Sequence, residues 1–425
     1  MGRQGCYHSI AHFRTERYST IRFADFFSGM VFGFGSECAV AIANRQSFVE
    51  VRLLTTDIFR ETTRHFLGPV LPLLDDPAVS EILINGPDSI YFEKAGRLHL
   101  SELKFPDAAS LMAAARNIGE YVNRQIDADH HSMDARLPDG SRVHVIIPPS
   151  SRNGCCISIR KFQKSTFNLE SLVQRGSMSE TAAEFLKLCV LLHKNMVIAG
   201  GTGTGKTSML NALSASIPEH ERIVVIEDSS ELQLHQPHTV YLEAQPPRPD
   251  GRGHVSIRDL FVDSLRMRPD RIVVGEVRRG EALDLVQSML SGHAGSLSTV
   301  HANTPRDAAI RLETLCMMSD VGLPVHVART QVASAIQIVV NIARLGDGSR
   351  RVQVISEMLG LDERNQYVFR DLFRFYPTGR DADGRILGEM RATGELPTFS
   401  DEACSMGFGD HIRLTGALFP ATSVG

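Results

Sequence analysis

The sequence predicts an α/β protein in which a largely parallel, helix-covered sheet follows a smaller α+β domain. Three observations predict it. Beyond residue 180, apolar strands alternate with helical stretches. Between about 65 and 162, short strands are punctuated by turn residues around one helix. A polar connection separates the two patterns. The expected division is an extension over residues 1–60, an α+β domain over 61–162, a linker over 163–179, and an α/β domain with a C-terminal subdomain over 180–425.

Taken in order, "EILINGPDSIYFEKAGRLHL" (81–100) reads as three strands separated by turns at Asn85-Gly86-Pro87-Asp88 and Lys94-Ala95-Gly96-Arg97. "DAASLMAAARNIGEYV" is an amphipathic helix capped by Asp107. "DARLPDGSRVHVIIPP" is a hairpin turning at Pro138-Asp139-Gly140, and "CCISIRKF" is a strand in which Cys155 and Cys156 pack. In the linker, "LESLVQRG" is a short helix. The second domain then runs helix 181–193, strand "NMVIAG", helix 206–216, strand "RIVVIED", helix 256–266, strand "RIVVGE", helix 280–290 and strand "GSLSTVHA". Apolar runs between helices are the mark of parallel strands buried on both faces. Residues 1–60 show no clean periodicity.

Composition excludes several classes. Forty-five Lys and Arg against 49 Asp and Glu give a net charge of −4, so no global basic field recruits nucleic acid or anionic lipid. Seven cysteines without a CxxC pair form neither a disulfide framework nor a zinc ribbon. The N-terminus lacks a secretory signal pattern, and its charge-free run from Phe26 to Ser36 is too short to span a bilayer, which takes about 20 residues. A cytoplasmic protein without an integral membrane segment is expected.

"GGTGTGKTS" fits GxxxxGK[ST] and lies between a strand and a helix. Gly200, Gly201, Thr202, Gly203, Thr204, Gly205, Lys206, Thr207 and Ser208 would form a loop whose backbone N–H groups close on phosphate oxygens. The following helix adds its positive end. Lys206 would bridge the β- and γ-phosphates of ATP, and Thr207 would ligate Mg²⁺.

Hydrolysis also needs a group to orient and deprotonate water, and the carboxyl ends of neighbouring strands are where to look. "RIVVGE" delivers Glu276, while "RIVVIED" delivers Glu227 and Asp228, with Glu231 shortly after. A Mg²⁺-nucleotide site explains carboxylates at buried strand ends. For Asp228 and Ser229, helix capping is an equal alternative.

The order of the phosphate loop, "VIEDSSELQL" and "LRMRPDRIVVGEVRRGEALDLVQSMLSGHAGSLSTVHANTPRDAAIRLET" resembles the type II/IV secretion and pilus-assembly ATPase superfamily. "DARLPDGSRV", "SIRKF", "EDSSELQL" and "LFRFYPTGRDADGRILGEMRATGELPTF" resemble its tight-adherence (Flp) pilus branch. The likeness spans about 65 to 420, and the four-cysteine insertion of many type II secretion motors is absent.

The resemblance implies a RecA-like ATPase domain in a homohexamer on the cytoplasmic side of the inner membrane, acting on pilus or secretion platform proteins. No direct nucleic-acid partner is expected. It matches Lys206 and Thr207 to the Walker A pair, Glu227 and Glu231 to the acidic "Asp box", Glu276 to the Walker B glutamate, and His293 and His301 to the "His box". Mg²⁺ would rest on Thr207, water and Glu231. Arg136, Arg142 and Arg160 stand where relatives bring charge to the γ-phosphate; the alternative is a solvated hairpin. Arg266, Arg268 and Arg278 suit either a subunit interface or the nucleotide. The histidines lack the third ligand of a metal site, and a γ-phosphate sensor fits them better. A type IV secretion traffic ATPase and a nucleotide switch with little turnover are the competing readings.

Overall fold

The structure, a computed structural model, describes residues 59–94, 96–162, 168–247, 251–400 and residue 402. The expected extension lies outside these apart from residues 59 and 60, as do residues 163–167 of the expected linker.

Six antiparallel strands form the first sheet: β1 (Val79–Asn85), β2 (Ile90–Lys94), β3 (Arg97–Leu100), β4 (Ser132–Arg136), β5 (Arg142–Ile146) and β6 (Cys156–Arg160), in the order β3-β2-β1-β6-β5-β4. A short helix, α1 (Leu71–Asp75), precedes them, and α2 (Ala108–Tyr121) covers the sheet. The Asp107 side chain accepts from the Ser110 N–H at 2.7 Å and so starts α2. From that helix Leu111, Ala114, Ala115 and Ile118 share a core with Ile82, Ile84, Ile157 and Ile159. Gly140 turns the β4–β5 hairpin at φ +90°, a conformation that glycine adopts without a Cβ clash.

Strand register has a consequence for charge. Arg136 faces Arg142, and Arg142 faces Arg160, which makes a row of three cations across β4, β5 and β6. Like charges directly opposite each other destabilise a sheet. The row therefore needs anions from elsewhere.

Helix α3 (Leu169–Gln174), closed by a reciprocal capping box between Asn168 and Ser171, leads to α4 (Glu180–Leu191). The second sheet has nine strands in the order β15-β14-β13-β12-β7-β11-β10-β8-β9. They are β7 (Met196–Gly200), β8 (Ile223–Glu227), β9 (Thr239–Glu243), β10 (Arg271–Val274), β11 (Leu297–Val300), β12 (Ile338–Arg344), β13 (Arg350–Leu361), β14 (Tyr367–Arg380) and β15 (Ile386–Ala392). β12, β7, β11, β10, β8 and β9 pair in parallel, whereas β13, β14 and β15 extend the sheet in antiparallel fashion.

Side-chain alternation divides each central strand between two cores. Met196, Ile198, Ile223, Val225 and Val273 face α4 and α5 (Lys206–Ser214). Val197, Ala199, Val224, Ile226, Ile272 and Val274 face the other side, which is covered by α6 (Ile257–Ser264), α7 (Glu281–Leu290), α8 (Pro305–Met317) and α9 (Val325–Ala335). The fold is thus α/β, with helices on both faces of a mainly parallel sheet.

Two expectations are corrected. "GSLSTVHA" is shorter as a strand than expected, and the two histidines do not share one: β11 covers Leu297–Val300, with His301 just past its end and His293 four residues before its start. Gly292 and Gly295, both in left-handed conformations, turn the chain on either side of His293. Asp228 and Ser229 cap no helix, because the chain runs from β8 through loop to β9.

Candidate active site

The phosphate loop connects β7, buried along its whole length, to α5. Gly203 and Gly205 take φ of +71° and +95°. A Cβ on Gly200 would lie 2.5 Å from Thr204 Oγ1 and 2.6 Å from the Ile342 carbonyl, so only glycine fits there. Gly205 gives α5 no side-chain cap. The first-turn N–H groups of that helix therefore keep their hydrogen-bonding capacity and positive end for an anion. Thr202 and Gly203 are exposed at the tip, and Thr207 and Ser208 are half-buried on the first turn of α5.

Lys206 is 8% exposed, and its Nζ donates to the Gly201 carbonyl at 3.0 Å. It also lies 3.8 Å from Glu276 Oε1 and 3.4 Å from His301 Nε2. Burial lowers its pKa, and the Glu276 charge opposes that shift. Glu276 Oε1 is 2.9 Å from His301 Nε2, and Arg278 Nε donates to Glu276 Oε2 at 2.6 Å. Burial first, then the Lys206 charge, holds the His301 imidazole below its usual range, with the Glu276 charge opposing the shift. Its Nε2 sits between a carboxylate acceptor and an ammonium donor, and the tautomer decides which it engages.

Three elements converge to make this cluster. The loop supplies Lys206, the segment after β10 supplies Glu276, and the end of β11 supplies His301. All three lie at the carboxyl edge of adjacent parallel strands, where open α/β sheets bind ligands.

The loop after β8 forms the second half of the site. Glu227 ends β8, and its Oε1 accepts from the N–H groups of Glu231 and Leu232 at 2.9 and 3.0 Å. Burial pushes the carboxyl up to about 7, against the pull of those two donors. A Cβ on Gly275 would stand 3.0 Å from Glu227 Cγ, so the glycine lets the Glu227 side chain lie close against this segment.

This fold-back turns the loop toward the arginine row. Arg136 donates to Ser229 Oγ at 2.8 Å and to the Ser230 carbonyl at 3.0 Å, and pairs with Glu243 at 3.1 Å. Arg142 donates to the Ser229 carbonyl at 2.6 Å and pairs with Glu231 at 2.9 Å. Arg160 lies 3.9 Å from Glu231 and 3.7 Å from Glu81. Glu231, Glu243 and Glu81 are the anions the row requires, and the first sheet thereby touches the β8–β9 loop that carries Glu231.

The expected site residues fall into two groups and one outlier. Lys206, Glu276 and His301 meet directly; Glu227, Glu231, Arg136, Arg142 and Arg160 form the adjoining layer. His293, at the amino end of β11, makes none of these contacts: its backbone N–H bonds Ser288 and its carbonyl accepts from Ser296 Oγ. Arg278, whose role the sequence left open, bridges Glu276 and Asp228, the latter at 3.1 Å. Two arginines belonging to none of the motifs, Arg344 and Arg350, lie at the tip of the phosphate loop. Their signal in the sequence was a Gly-Asp-Gly-Ser turn between arginines.

A mainly parallel α/β sheet with this loop, and with a carboxylate beside its lysine, defines a P-loop ATPase. The chain belongs to the Type II/IV secretion system protein family, whose profile matches residues 64–374. It is 34% identical over 307 residues to a Mycobacterium tuberculosis protein whose name assigns it to conjugal transfer, covering 71% of this chain and 87% of that one. It is also 34% identical over 310 residues to the type IV secretion system protein PtlH of Bordetella pertussis, covering 66% and 90%. Among solved structures, it is similar to the VirB11 ATPase from the Brucella suis type IV secretion system in complex with sulphate: 27% identity, TM-score 0.38, covering 72% of this chain and 96% of that one. No helix of the described residues is long and apolar enough to cross a membrane.

Proposed function

We propose that the chain is the motor ATPase of a tight-adherence (Flp) pilus machine, working as a homohexamer on the cytoplasmic side of inner-membrane platform proteins. The observation that carries the catalytic part is Glu276 at the strand edge, 3.8 Å from the phosphate-loop lysine. The branch assignment is supported by the sequence stretches "EDSSELQL" and "LRMRPDRIVVGE" and by the tail from Leu372 to Phe399.

The donor set suits a nucleotide: an uncapped helix start, two left-handed glycines and a sheltered ammonium. Among the described residues no cluster of three or more His, Cys, Asp or Glu could hold a metal alone. Mg²⁺ would come with the nucleotide and be held by Thr207, with Glu231 the carboxylate that the family resemblance assigns to it. When bound, Mg²⁺-ATP supplies the phosphoryl group and the charge that the site must neutralise. Lys206 Nζ neutralises phosphate oxygens. Glu276 Oε1 orients a water and takes its proton, while Arg278 holds the other carboxylate oxygen. His301, touching both Lys206 and Glu276, registers whether phosphate is present. Arg142 and Arg160, on Glu231, couple the first sheet to the occupied loop.

In the purified protein, Glu276→Gln should keep ATP binding and lose turnover by about 10²–10⁴-fold. Wild-type turnover in that variant would remove Glu276 from the mechanism. A wild-type protein that binds ATP without turnover would favour the switch. Light scattering with a non-hydrolysable ATP analogue should give six times the monomer mass, and a persistent monomer would defeat the ring.

The similarity to the type IV secretion system protein PtlH of Bordetella pertussis favours a second reading, a type IV secretion traffic ATPase. Neighbouring genes separate the two: prepilin and tight-adherence platform genes support the first, a conjugation cluster the second.

A further inference from the structure

We infer that Arg350 is a positioning residue of the phosphate loop, setting which way a backbone donor of that loop faces. The inference rests on the reading of Gly200–Ser208 as a phosphate cradle.

Arg344 ends β12 and Arg350 begins β13, and the two are register partners across a tight hairpin. The hairpin is fixed from within: the Leu345 N–H bonds the Ser349 carbonyl at 2.8 Å, and the Gly348 N–H bonds the Leu345 carbonyl at 2.9 Å. Asp347 braces the turn, accepting from the Ser349 N–H and hydroxyl on one oxygen and from the Ile386 N–H of β15 on the other. Guanidinium groups rooted in such a turn start from a fixed base.

Both reach the loop tip. Arg350 Nε donates to the Gly203 carbonyl at 2.8 Å, and its Cδ lies 3.5 Å from where a Cβ on Gly205 would stand. Arg344 Nη1 lies 3.9 Å from the corresponding position on Gly203, and its Nη2 donates to the Gly96 carbonyl in the β2–β3 turn of the first sheet. One hairpin thus touches the phosphate loop with one arginine and the first sheet with the other.

The peptide between Gly203 and Thr204 is planar and trans, so its C=O and N–H point in opposite directions. With the carbonyl held by Arg350, the Thr204 N–H is turned to the side of the loop away from Arg350. Gly203 has no side chain to resist a rotation of this peptide, and its φ of +71° is one that glycine adopts without a Cβ clash. Without the guanidinium nothing holds the Gly203 carbonyl on that side, and the tilt of the peptide, and with it the direction of the Thr204 N–H, is set less tightly. The contact is therefore expected to act on nucleotide affinity.

Binding of a fluorescent ADP analogue and steady-state ATP turnover, measured on full-length Arg350→Ala, Arg350→Lys, Arg344→Ala and Lys206→Ala, test this. Arg350→Ala should weaken ADP by about tenfold and raise KM for ATP by a similar factor, with the loss falling on KM more than on kcat. Arg350→Lys, which keeps one donor, should recover most of it. Arg344→Ala should weaken ADP by no more than about threefold. Wild-type affinity in Arg350→Ala overturns the proposal, as does a loss confined to kcat. Equal losses in Arg344→Ala and Arg350→Ala would also overturn it, since that is the result of general positive charge. Lys206→Ala binding ADP as tightly as wild type would instead reject the phosphate-cradle reading itself.

Discussion

Strand β8 has a buried glutamate at each end, and the two are held in opposite ways. Glu221, just before the strand, meets Arg271, which is 0% exposed. Arg271 donates to both Glu221 oxygens and to the carbonyls of Val190 and Gly295. Burial alone would raise the Glu221 pKa, but hydrogen bonds from His193 and Arg271 and the Arg271 charge hold it at about 2. Glu227, the last residue of β8, has only backbone N–H groups on Oε1, and burial takes it up to about 7. The same sheet thus closes a charge network at its amino edge and leaves one incompletely compensated at its carboxyl edge. A closed network fixes a fold; an open one stands ready for a ligand that completes it.

The largest effect should come from opening the closed network. Arg271→Ala strands Glu221 in the interior and should cost about 3–5 kcal/mol of stability in denaturant unfolding. A cost below about 1 kcal/mol would mean that the amino edge is no more committed than the carboxyl edge.

The two glutamates should also give opposite pH dependences. A folded pKa of about 2 against an ordinary 4.5 means that Glu221 contributes fully above pH 4.5, and that this stability is lost as pH falls toward 2. A folded pKa of about 7 means that Glu227 is best tolerated below pH 4.5, and that stability is lost as pH rises through 7. At 1.36 kcal/mol per unit, each shift is worth about 3–4 kcal/mol at most. Urea unfolding should show Glu227→Gln matching wild type at pH 4.5 and exceeding it at pH 8. Glu221→Gln should fall below wild type at pH 7, with the gap narrowing in acid. Parallel curves for the two variants would erase the distinction.

How much of this was readable in the sequence follows the range of the interactions. The phosphate loop, Glu276, Glu227 and the hairpin at Pro138-Asp139-Gly140 are local patterns, and each was legible. The row of Arg136, Arg142 and Arg160 was visible only as three scattered arginines, because strand register, not spacing, aligns them. Edge strand β9 and the antiparallel extension β13–β15 went unassigned, since alternation does not say which sheet a strand joins. Arg271 began an apolar run and gave no hint that it is fully buried. The two histidines read alike in sequence because nothing local shows that Gly292 and Gly295 turn the chain before β11 begins.

His301 and His293 give the smallest predicted effect. They flank β11, a strand parallel to β7 and β10, so one falls at the nucleotide edge and the other at the opposite edge. His301 contacts both Lys206 and Glu276, and replacing it with alanine removes a polar partner from each. His301→Ala should lower kcat by about tenfold, worth about 1.4 kcal/mol, with ATP affinity within about twofold. His293→Ala should change kcat by less than about twofold, because the bonds it makes, to Ser288 of α7 and from Ser296 Oγ, belong to its backbone and survive the substitution. Equal losses of turnover would overturn the distinction between the two histidines. The measurement is steady-state turnover alongside ATP affinity for both variants, and the ratio of their kcat values carries the answer.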